Sequence, residues 1–261
     1  MKTALIKISG KTINEFLSTD KWIEIFKNLK LEYDGIILVH GAGKTISEWS
    51  EKLGLETKFI NGQRVTTKEQ MEVVAAVQAG VLNSQLTAKL ISSGLEATGV
   101  SGIDRGTFIA KYFEEQLGFV GKPELVGSIY WIKDLLNSNV IPVFSSVCTD
   151  AKGNLMNVNA DIFAESLAAA LQIDTVFFVS DVSGVILGGS IKESLTESEI
   201  IRGIVDGEIK DGMIPKLHSC IDLLKKGINK IWIGCELNNI FNNGTWIVNS
   251  DERQYELLKT A

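Results

Sequence analysis

The chain has 261 residues, of which 45% are apolar and 22% charged, so it suits one large α/β domain or two small ones rather than a disordered protein. Its net charge of −6 argues against nucleic acid as a partner, because binding to a phosphate backbone needs a basic face. Three widely spaced cysteines, no secretory pattern and no apolar run near the roughly 18 residues of a membrane span favour a cytoplasmic protein that binds no membrane.

Short apolar runs alternate with amphipathic helical patterns along the whole chain. Several runs are apolar at consecutive positions, which is typical of parallel strands covered by helices on both faces. This alternation, without a Pro/Gly/Ser-rich linker, predicts a single α/β domain: a three-layer αβα sandwich with a central, mainly parallel sheet. The candidate strands are residues 4–8, 36–39, 97–100, 140–145, 175–179, 230–233 and 245–248, and the clearest helical patterns cover residues 22–29, 67–93 and 213–224.

Ligands of open α/β sheets bind outside the carboxyl ends of the strands, so the residues after each strand are candidate site residues. The first strand contains Lys7, a cation that is costly among apolar residues unless it is paired or lies at the mouth of the sheet. We therefore favour a functional role for Lys7 over a structural one. Gly10, just after this strand, would present its backbone to a phosphoryl oxygen.

The second strand leads into the sequence VHGAGKTISEW, residues 39–49. Its GKT is not the end of a P-loop, because Leu38 occupies the position where that motif needs its first glycine, and GAGKTI also lacks the third glycine of a Rossmann fingerprint. The capping-box pattern T-x-x-E predicts a helix that begins at Thr45. The glycine turn before it either binds an anion or merely connects strand and helix. His40 ends a buried strand, and we expect it to be packed rather than catalytic.

The segment LMNVNADIFAESLAAAL, residues 155–171, places Asn157, Asn159 and Asp161 just before a helix of small residues. A helix that starts early would put Asn157 and Asp161 one turn apart. Asn159 alone could be a helix cap, but capping does not account for all three polar groups. Further on, VSDVSGVIL follows another apolar strand and is typical of a nucleotide-binding loop. In KDGMIPKLHSC, Lys216 lies near a helix N-terminus, where the dipole disfavours a cation unless an anion is bound.

In order along the chain, the motifs IKISG, VHGAG, NGQRVT, LGFVG, NVNAD, SDVSGVIL and DGMIPK resemble the amino-acid kinase family, and within it the acetylglutamate kinases. The resemblance covers essentially the whole chain, and NGQRVT and MNVNAD are its most specific parts. Ser9 and Ala42 depart from it, because both replace glycines that are common in the family. Ala42 keeps its N–H, so the phosphate contact survives where the backbone conformation allows alanine.

The resemblance implies ATP-dependent phosphorylation of the side-chain carboxylate of an N-acylglutamate, in arginine biosynthesis. Lys7 and Lys216 would neutralise the transferred phosphoryl group, and Asp161 would hold both lysines. Arg64 would clamp the α-carboxylate of the substrate in bidentate fashion. Mg²⁺ would travel with the ATP phosphates, so no metal ligands are expected from the protein. The other implied contacts are Gly10, Gly41 and Ala42 for phosphate, Gly41, Ala42, Asn157 and Asn159 for substrate, and Asp181, Val182, Ser183, Gly184, Ile209, Lys210, Asp211 and Gly212 for nucleotide.

The same resemblance divides the chain into an N-terminal lobe of residues 1–172 that binds the acyl amino acid and a C-terminal lobe of residues 173–261 that binds nucleotide. The helix at residues 67–93 is similar to one that pairs subunits, so we expect a homodimer. Arginine-inhibited hexameric members carry an extra helix before the first strand, which here begins near Ala4, so we expect no inhibition by arginine. Lys122 beside LGFVG is either a solvated loop residue or a cation that admits a longer acidic acyl group such as succinyl.

Two rival interpretations stay open. Another kinase of the same family would act on a different carboxylate, a carbamate or a phosphate, although NGQRVT favours an acylglutamate. A catalytically silent protein would only sense nucleotide or amino acid. Pure binding would not need Lys7, Asp161 and Lys216 together, which argues against the silent protein.

Overall fold

The computed structural model describes residues 1–210, 212–235, 237 and 244–249, so the predicted nucleotide contact Asp211 lies outside the described residues. A π-helical segment, Ala75–Leu82, joins α4 to α5, and 3₁₀ turns lie at Asp104–Gly106 and Glu115–Leu117. The helices are α1 (Lys11–Ser18), α2 (Lys21–Glu32), α3 (Gly43–Lys52), α4 (Lys68–Val74), α5 (Asn83–Ser92), α6 (Tyr130–Asn137), α7 (Ala160–Leu171), α8 (Glu197–Val205) and α9 (Met213–Lys225).

The strands form one large sheet, one small closed sheet and two hairpins. In chain order they are β1 (Thr3–Ile8), β2 (Gly35–His40), β3 (Phe59–Ile60), β4 (Gln63–Arg64), β5 (Ala97–Ser101), β6 (Phe108–Tyr112), β7 (Val120–Leu125), β8 (Ile141–Ser145), β9 (Cys148–Thr149), β10 (Leu155–Val158), β11 (Thr175–Val179), β12 (Ile186–Leu187), β13 (Ser190–Ile191), β14 (Ser194–Leu195), β15 (Lys230–Gly234) and β16 (Gly244–Ile247).

The large sheet has eight strands in the order β14-β16-β15-β11-β1-β2-β8-β5. Its pairs are parallel except for the antiparallel pair of β15 and β16. Every strand predicted from an apolar run lies in this sheet, which confirms the mainly parallel arrangement. β14 was not predicted, because a strand of two residues leaves no apolar run to detect.

Helices cover both faces of the large sheet. Successive side chains of a strand point to opposite faces, so each strand contributes to two cores. On one face Leu5 and Val39 pack with apolar residues of α6, α7, α8 and α9. On the other face Ile6 and Leu38 pack with apolar residues of α1, α2, α3, α4 and α5. The predicted three-layer αβα sandwich is therefore confirmed.

The small sheet closes on itself in the order β10-β7-β6-β9, and the hairpins pair β3 with β4 and β12 with β13. These strands have two to six residues and mix buried with exposed positions, as in Val120–Leu125, so no apolar run predicted them. No described helix is long and apolar enough to cross a bilayer.

Two predictions about helix starts were wrong. α3 begins at Gly43, with Ala42 as its N-cap, and not at Thr45. The N–H of Gly41 donates to the carbonyl of Ile8 at 3.1 Å, which continues the hydrogen bonding between β1 and β2 to the residue before this N-cap. Asn157 lies in β10, because α7 begins only after it. The helix predicted over residues 67–93 is present. It starts after a capping box at Thr67, and its middle part, Ala75–Leu82, is π-helical.

Candidate active site

The turn after β2, the β3–β4 hairpin, the small sheet and the start of α7 surround a cavity of about 190 Å³. It lies at the carboxyl ends of β1 and β2, where open α/β sheets bind their ligands. The structure brings together seven of the predicted site residues in its lining: Lys7, Gly41, Ala42, Arg64, Asn157, Asn159 and Asp161.

A carboxylate bridges two lysines at one end of this cavity. Lys7 shares a face of β1 with Leu5, and its side chain therefore points toward α7. Its Nζ lies 2.7 Å from Oδ1 of Asp161, a residue in the first turn of α7. The Nζ of Lys216, in the first turns of α9, lies 3.4 Å from Oδ2 of the same carboxylate. Two cations against one anion leave this group with a net positive charge.

The carboxylate of this group stays ionised because the two lysines stabilise it. Burial lowers the pKa of Lys7 below its ordinary value, and Asp161 opposes that shift. For Asp161, burial would raise the pKa, but Lys7 and Lys216 outweigh it, and its pKa falls below the ordinary value. The carboxylate is therefore charged at neutral pH and holds no proton to donate. It can position the two lysines but cannot act as a general acid.

The turn after β2 offers backbone donors to an anion. The N–H of Gly41 is already used by the carbonyl of Ile8, so the predicted phosphate contact of Gly41 cannot come from its N–H without breaking that bond. No described residue accepts a hydrogen bond from the N–H of Ala42 or Gly43, which both lie at the N-terminus of α3. Ala42 has a φ of −151° and a ψ of 8°, so this position does not require the positive φ that only glycine adopts readily.

Gly10 is the N-cap of α1 and has a φ of 51°, in the left-handed region that favours glycine. Its N–H donates to no described acceptor. A Cβ at this position would meet no atom within 4 Å, so the space beside its backbone is open. Gly10 lies outside the cavity lining itself, and its role as a phosphate contact stays a prediction.

Arg64 is buried at the other end of the cavity and has no acidic partner among the described residues. Its Nη2 donates to the carbonyl of Gly43 at 2.8 Å and to Oγ of Ser47 at 2.7 Å, and its Nη1 contacts Oγ1 of Thr57 at 3.4 Å. The guanidinium also lies over the ring of Phe59, 4.9 Å from its centroid. Burial lowers the pKa of Arg64, but arginine remains charged in proteins. Two of its five N–H donors remain for a ligand.

Asn157 and Asn159 line the cavity in different ways. Asn157 donates through Nδ2 to Oγ1 of Thr66 at 3.0 Å, which leaves Oδ1 and one amide hydrogen for a ligand. Asn159 is the N-cap of α7, because its Oδ1 accepts from the N–H of Asp161 at 2.8 Å. Its amide nitrogen is left for a ligand, so capping and substrate contact are compatible at this position.

The predicted nucleotide residues lie on the C-terminal side of the sheet. Asp181 and Ser183 follow the carboxyl end of β11, and Asp181 is close enough to Lys7 to raise the pKa of that lysine slightly against the effect of burial. Gly184 has a φ of 144°, and a Cβ there would lie 2.7 Å from a side-chain carbon of Ile191, so only glycine fits. The other predicted contacts, Val182, Ile209, Lys210 and Gly212, lie in the same loop or before α9.

Gln78, Ser146 and Phe59 are among the cavity residues that the sequence analysis did not predict as site residues. Gln78 belongs to the π-helical segment, and neither its spacing nor its type distinguishes it from a surface glutamine in the sequence. Lys122, in contrast, is exposed, lies outside the lining and places its Nζ 4.5 Å from the centroid of Phe113. This geometry favours the solvated-residue interpretation of Lys122 and gives no support to a succinyl pocket.

Metal binding has no evident support from protein ligands alone. Within the described residues, no three side chains of His, Cys, Asp or Glu are grouped closely enough to hold an ion. The carboxylate nearest the reaction end, Asp161, is occupied by two ammonium groups.

The profile of the amino acid kinase family matches residues 2–235. Together with the sheet and the lysine–aspartate site, this shows that the chain belongs to the amino acid kinase family. Within the family it is similar to acetylglutamate kinases. That of Geobacillus kaustophilus (strain HTA426) is 35% identical over 246 residues, which cover 94% of both proteins.

Other comparisons agree. The acetylglutamate kinase of Endomicrobium trichonymphae is 36% identical over 237 residues, covering 90% of this chain and 94% of that protein. The crystal structure of smu.665 from Streptococcus mutans UA159 superposes with a TM-score of 0.83 at 28% identity, covering 94% of this chain and 98% of that one. The amino-acid kinase fold predicted from the motifs is therefore confirmed.

Proposed function

We propose that this protein transfers the γ-phosphoryl group of ATP to the side-chain carboxylate of N-acetyl-L-glutamate, a step of arginine biosynthesis. The observation that carries the proposal is the pairing of two cationic sites in one cavity. Lys7, bridged to Lys216 by Asp161, lies at one end, and Arg64 without an acidic partner among the described residues lies at the other. A dicarboxylate substrate matches both.

The chemistry needs charge neutralisation rather than proton transfer. A side-chain carboxylate with a reference pKa of roughly 4.3 is already ionised and can attack the γ-phosphorus directly. A new O–P bond forms as the bond to the bridging oxygen breaks, and ADP leaves with that electron pair. Lys7 and Lys216 stabilise the charge on the phosphoryl oxygens, and the free N–H of Ala42 adds a donor.

Arg64 fixes the substrate by its α-carboxylate. The protein leaves two N–H donors of the guanidinium free, on Nε and Nη1, and a bidentate contact with the carboxylate would replace one bond of Nη2, to Gly43 or to Ser47. The available amide groups of Asn157 and Asn159 complete the acyl amino acid contacts. The N-acetyl group needs no cation, in keeping with Lys122 lying outside the cavity.

The nucleotide would occupy the C-terminal lobe, residues 173–261, next to the lobe of residues 1–172 that holds the acyl amino acid. Support comes from the glycine-containing loop at Asp181–Gly184 beyond β11, which lies near Lys7 on the same edge of the sheet. Mg²⁺ would neutralise the ATP phosphates when bound. It would arrive with the nucleotide, because the described residues offer no carboxylate cluster for it. We place the enzyme in the cytoplasm.

We also infer a homodimer built on the helical stretch from α4 to α5. Its outer face exposes Ala76, Gly80, Ser84 and Ala88, small residues over which a second helix can approach closely. Two-fold dimers are the commonest assembly. Light scattering should give twice the chain mass of 28.6 kDa, and Ser84→Arg should lower it, while Glu24→Arg on α2 should not. A wild-type mass of one chain or of six would contradict the dimer.

The proposed activity is tested by measuring ADP release with N-acetyl-L-glutamate, L-glutamate, N-acetyl-L-aspartate and carbamate, with hydroxylamine present to trap an acyl phosphate as a hydroxamate. We expect ADP and hydroxamate in equal amounts with N-acetyl-L-glutamate, and little with the others. Turnover of carbamate alone would assign another reaction of the family. Nucleotide binding without ADP release would favour a silent sensor instead.

A further inference from the structure

A buried polar cluster lies directly beneath the glycine turn, and the mechanism above does not use it. It consists of His40, Gln78, Asn83 and Ser146, none more than 5% exposed. His40 ends β2, and Ser146 follows β8, while Gln78 and Asn83 come from the π-helical segment and the start of α5. The cluster therefore ties the long helix to the turn that offers its N–H groups to the cavity.

The hydrogen bonds of the cluster fix which atom of each amide faces which partner. Nε2 of Gln78 donates to the carbonyl of His40 at 3.2 Å and to Oγ of Ser146 at 2.9 Å. Nδ2 of Asn83 donates to the carbonyls of Val143 at 2.7 Å and Val100 at 3.3 Å and lies 3.1 Å from Nε2 of His40. Since a carbonyl can only accept, these nitrogens are donors and the amide orientations follow.

The tautomer of His40 follows in turn. Its Nε2 faces Nδ2 of Asn83, an amide nitrogen that cannot accept a hydrogen bond, so Nε2 carries no hydrogen. Its Nδ1 lies 3.1 Å from the carbonyl oxygen of Gly41 and must donate. His40 is thus a neutral ring protonated on Nδ1. Burial lowers the pKa of His40 to about 4, so the ring stays neutral at physiological pH.

The bond from His40 to Gly41 controls the next N–H along the chain. In a trans peptide the C=O of one residue and the N–H of the next point in opposite directions, and the described chain has no cis peptide bond. Holding the carbonyl of Gly41 toward the imidazole therefore turns the N–H of Ala42 away from it, toward the cavity. The preceding peptide is held at both ends, since Gln78 binds the carbonyl of His40 and Ile8 accepts from Gly41.

We propose that His40 is a positioning residue for phosphoryl transfer: its Nδ1–H holds the Gly41 carbonyl so that the N–H of Ala42 faces the transferred phosphoryl group. The role of Ala42 in this statement rests on the proposed function. The π-helical register supports the arrangement, because the N–H of Asn83 reaches the carbonyl of Gln78 and the side chains of both residues engage His40.

Two substitutions separate positioning from packing. His40→Asn keeps a donor near the position of Nδ1 but leaves a hole, whereas His40→Phe fills the ring volume and removes the donor. We expect kcat of His40→Asn to stay within about 5-fold of wild type. We expect His40→Phe to lose about 10-fold or more in kcat, with both KM values within about 3-fold, as for a misaligned transition-state donor. A packing role predicts the opposite order, with phenylalanine more active than asparagine, and that order would overturn the proposal.

A second measurement depends neither on activity nor on the folding of a His40 variant. The chain has only two histidines, so ¹⁵N spectra of the wild-type rings can be assigned with a variant of the other, exposed His218. We expect His40 to show a protonated Nδ1 and an unprotonated Nε2 at neutral pH. A hydrogen on Nε2 would overturn the proposal. Absence of ADP release in the wild type would instead refute the proposed function and leave this test of His40 intact.

Discussion

The two cationic ends of the cavity are held in opposite ways. At the reaction end, Lys7 and Lys216 share a carboxylate supplied by the protein itself, so half of their charge is balanced before any ligand arrives. At the other end, neutral groups hold Arg64: a carbonyl, two hydroxyls and an aromatic ring. Among the described residues no anion balances the guanidinium.

The difference shows what each end requires. The lysines must stay in place while the phosphates and the substrate carboxylate bind and leave. Asp161 holds them there because each of its oxygens pairs with one lysine. A buried guanidinium without a resident anion is stabilised only when a ligand supplies one. The end at Arg64, here called the unbalanced end, is therefore where the permanent carboxylate of the substrate binds. The end at Lys7, Lys216 and Asp161, here called the balanced end, is where negative charge moves during the reaction.

The largest expected effect is at the balanced end. Lys7→Ala and Lys216→Ala should each lower kcat on the order of 10²-fold or more, because each removes a positive charge that stabilises the phosphoryl group in the transition state. ADP release by the purified proteins measures it. Lys225→Ala, an exposed lysine of the same helix α9 paired with Glu197, serves as the control and should keep wild-type activity. Near-normal turnover in either test variant would remove that lysine from the mechanism.

The unbalanced end should respond in KM rather than in kcat. Arg64→Lys should raise KM for N-acetyl-L-glutamate about 10-fold and leave KM for ATP nearly unchanged, because an ammonium cannot make the planar two-bond contact. Initial rates at varied concentrations of each substrate measure both constants. Lys58→Ala, an exposed change in the same region, should alter neither constant. Equal rises in both constants would show that Arg64 does not clamp the substrate.

Removing the resident anion should lower stability with a defined pH dependence. Asp161→Asn should reduce the free energy of unfolding by about 2–4 kcal/mol at pH 7, since two cations lose their buried partner. The folded pKa of Asp161 is depressed, so its contribution is present above its ordinary value of 3.8 and is lost as pH falls through the folded value. In denaturant unfolding, the difference in free energy of unfolding between wild type and Asp161→Asn should disappear below about pH 4. The exposed Asp222→Asn should change stability by less than about 0.5 kcal/mol.

A second pH dependence of stability concerns the neutral ring of His40. The folded pKa of His40 is lowered from 6.5 to about 4, so the unfolded chain takes up a proton first and stability falls as pH drops through this interval. The full difference corresponds to about 3 kcal/mol. Urea unfolding of wild type and His40→Asn should diverge most at pH 7 and converge toward pH 4. If the difference in free energy of unfolding between wild type and His40→Asn did not depend on pH, His40 would not be buried in its neutral form.

The sequence predicted seven of the eight strands of the large sheet, because parallel strands covered on both faces are apolar at consecutive positions. It also singled out Lys7, since a cation inside an apolar strand is costly unless paired, whereas the pairing with Asp161 followed from the resemblance to the family. The small sheet escaped prediction because strands such as Phe108–Tyr112 are half exposed and carry no apolar run. The cavity contact of Asn157 followed from its motif, although its place in a strand did not.

Other errors arose where tertiary contacts override local signals. The T-x-x-E pattern placed the start of α3 at Thr45, but α3 starts at Gly43, two residues after Gly41, which the sheet holds through its bond to Ile8. Hydrogen bonds from residue i+5 to residue i leave no compositional mark, so the π-helical segment could not be predicted from sequence. The position of Gln78 in the cavity wall depends on that segment and was missed with it.

The account is tested most directly by comparing N-acetyl-L-glutamate with its α-amide, in which the permanent carboxylate is neutral, on wild type and on Arg64→Ala. In the wild type we expect kcat/KM to fall on the order of 10²-fold for the amide, because a buried guanidinium is left without its anion. In Arg64→Ala the two substrates should differ by less than about 5-fold. Equal use of both substrates by the wild type, or an undiminished preference in Arg64→Ala, would contradict the assignment of the unbalanced end to the substrate's α-carboxylate.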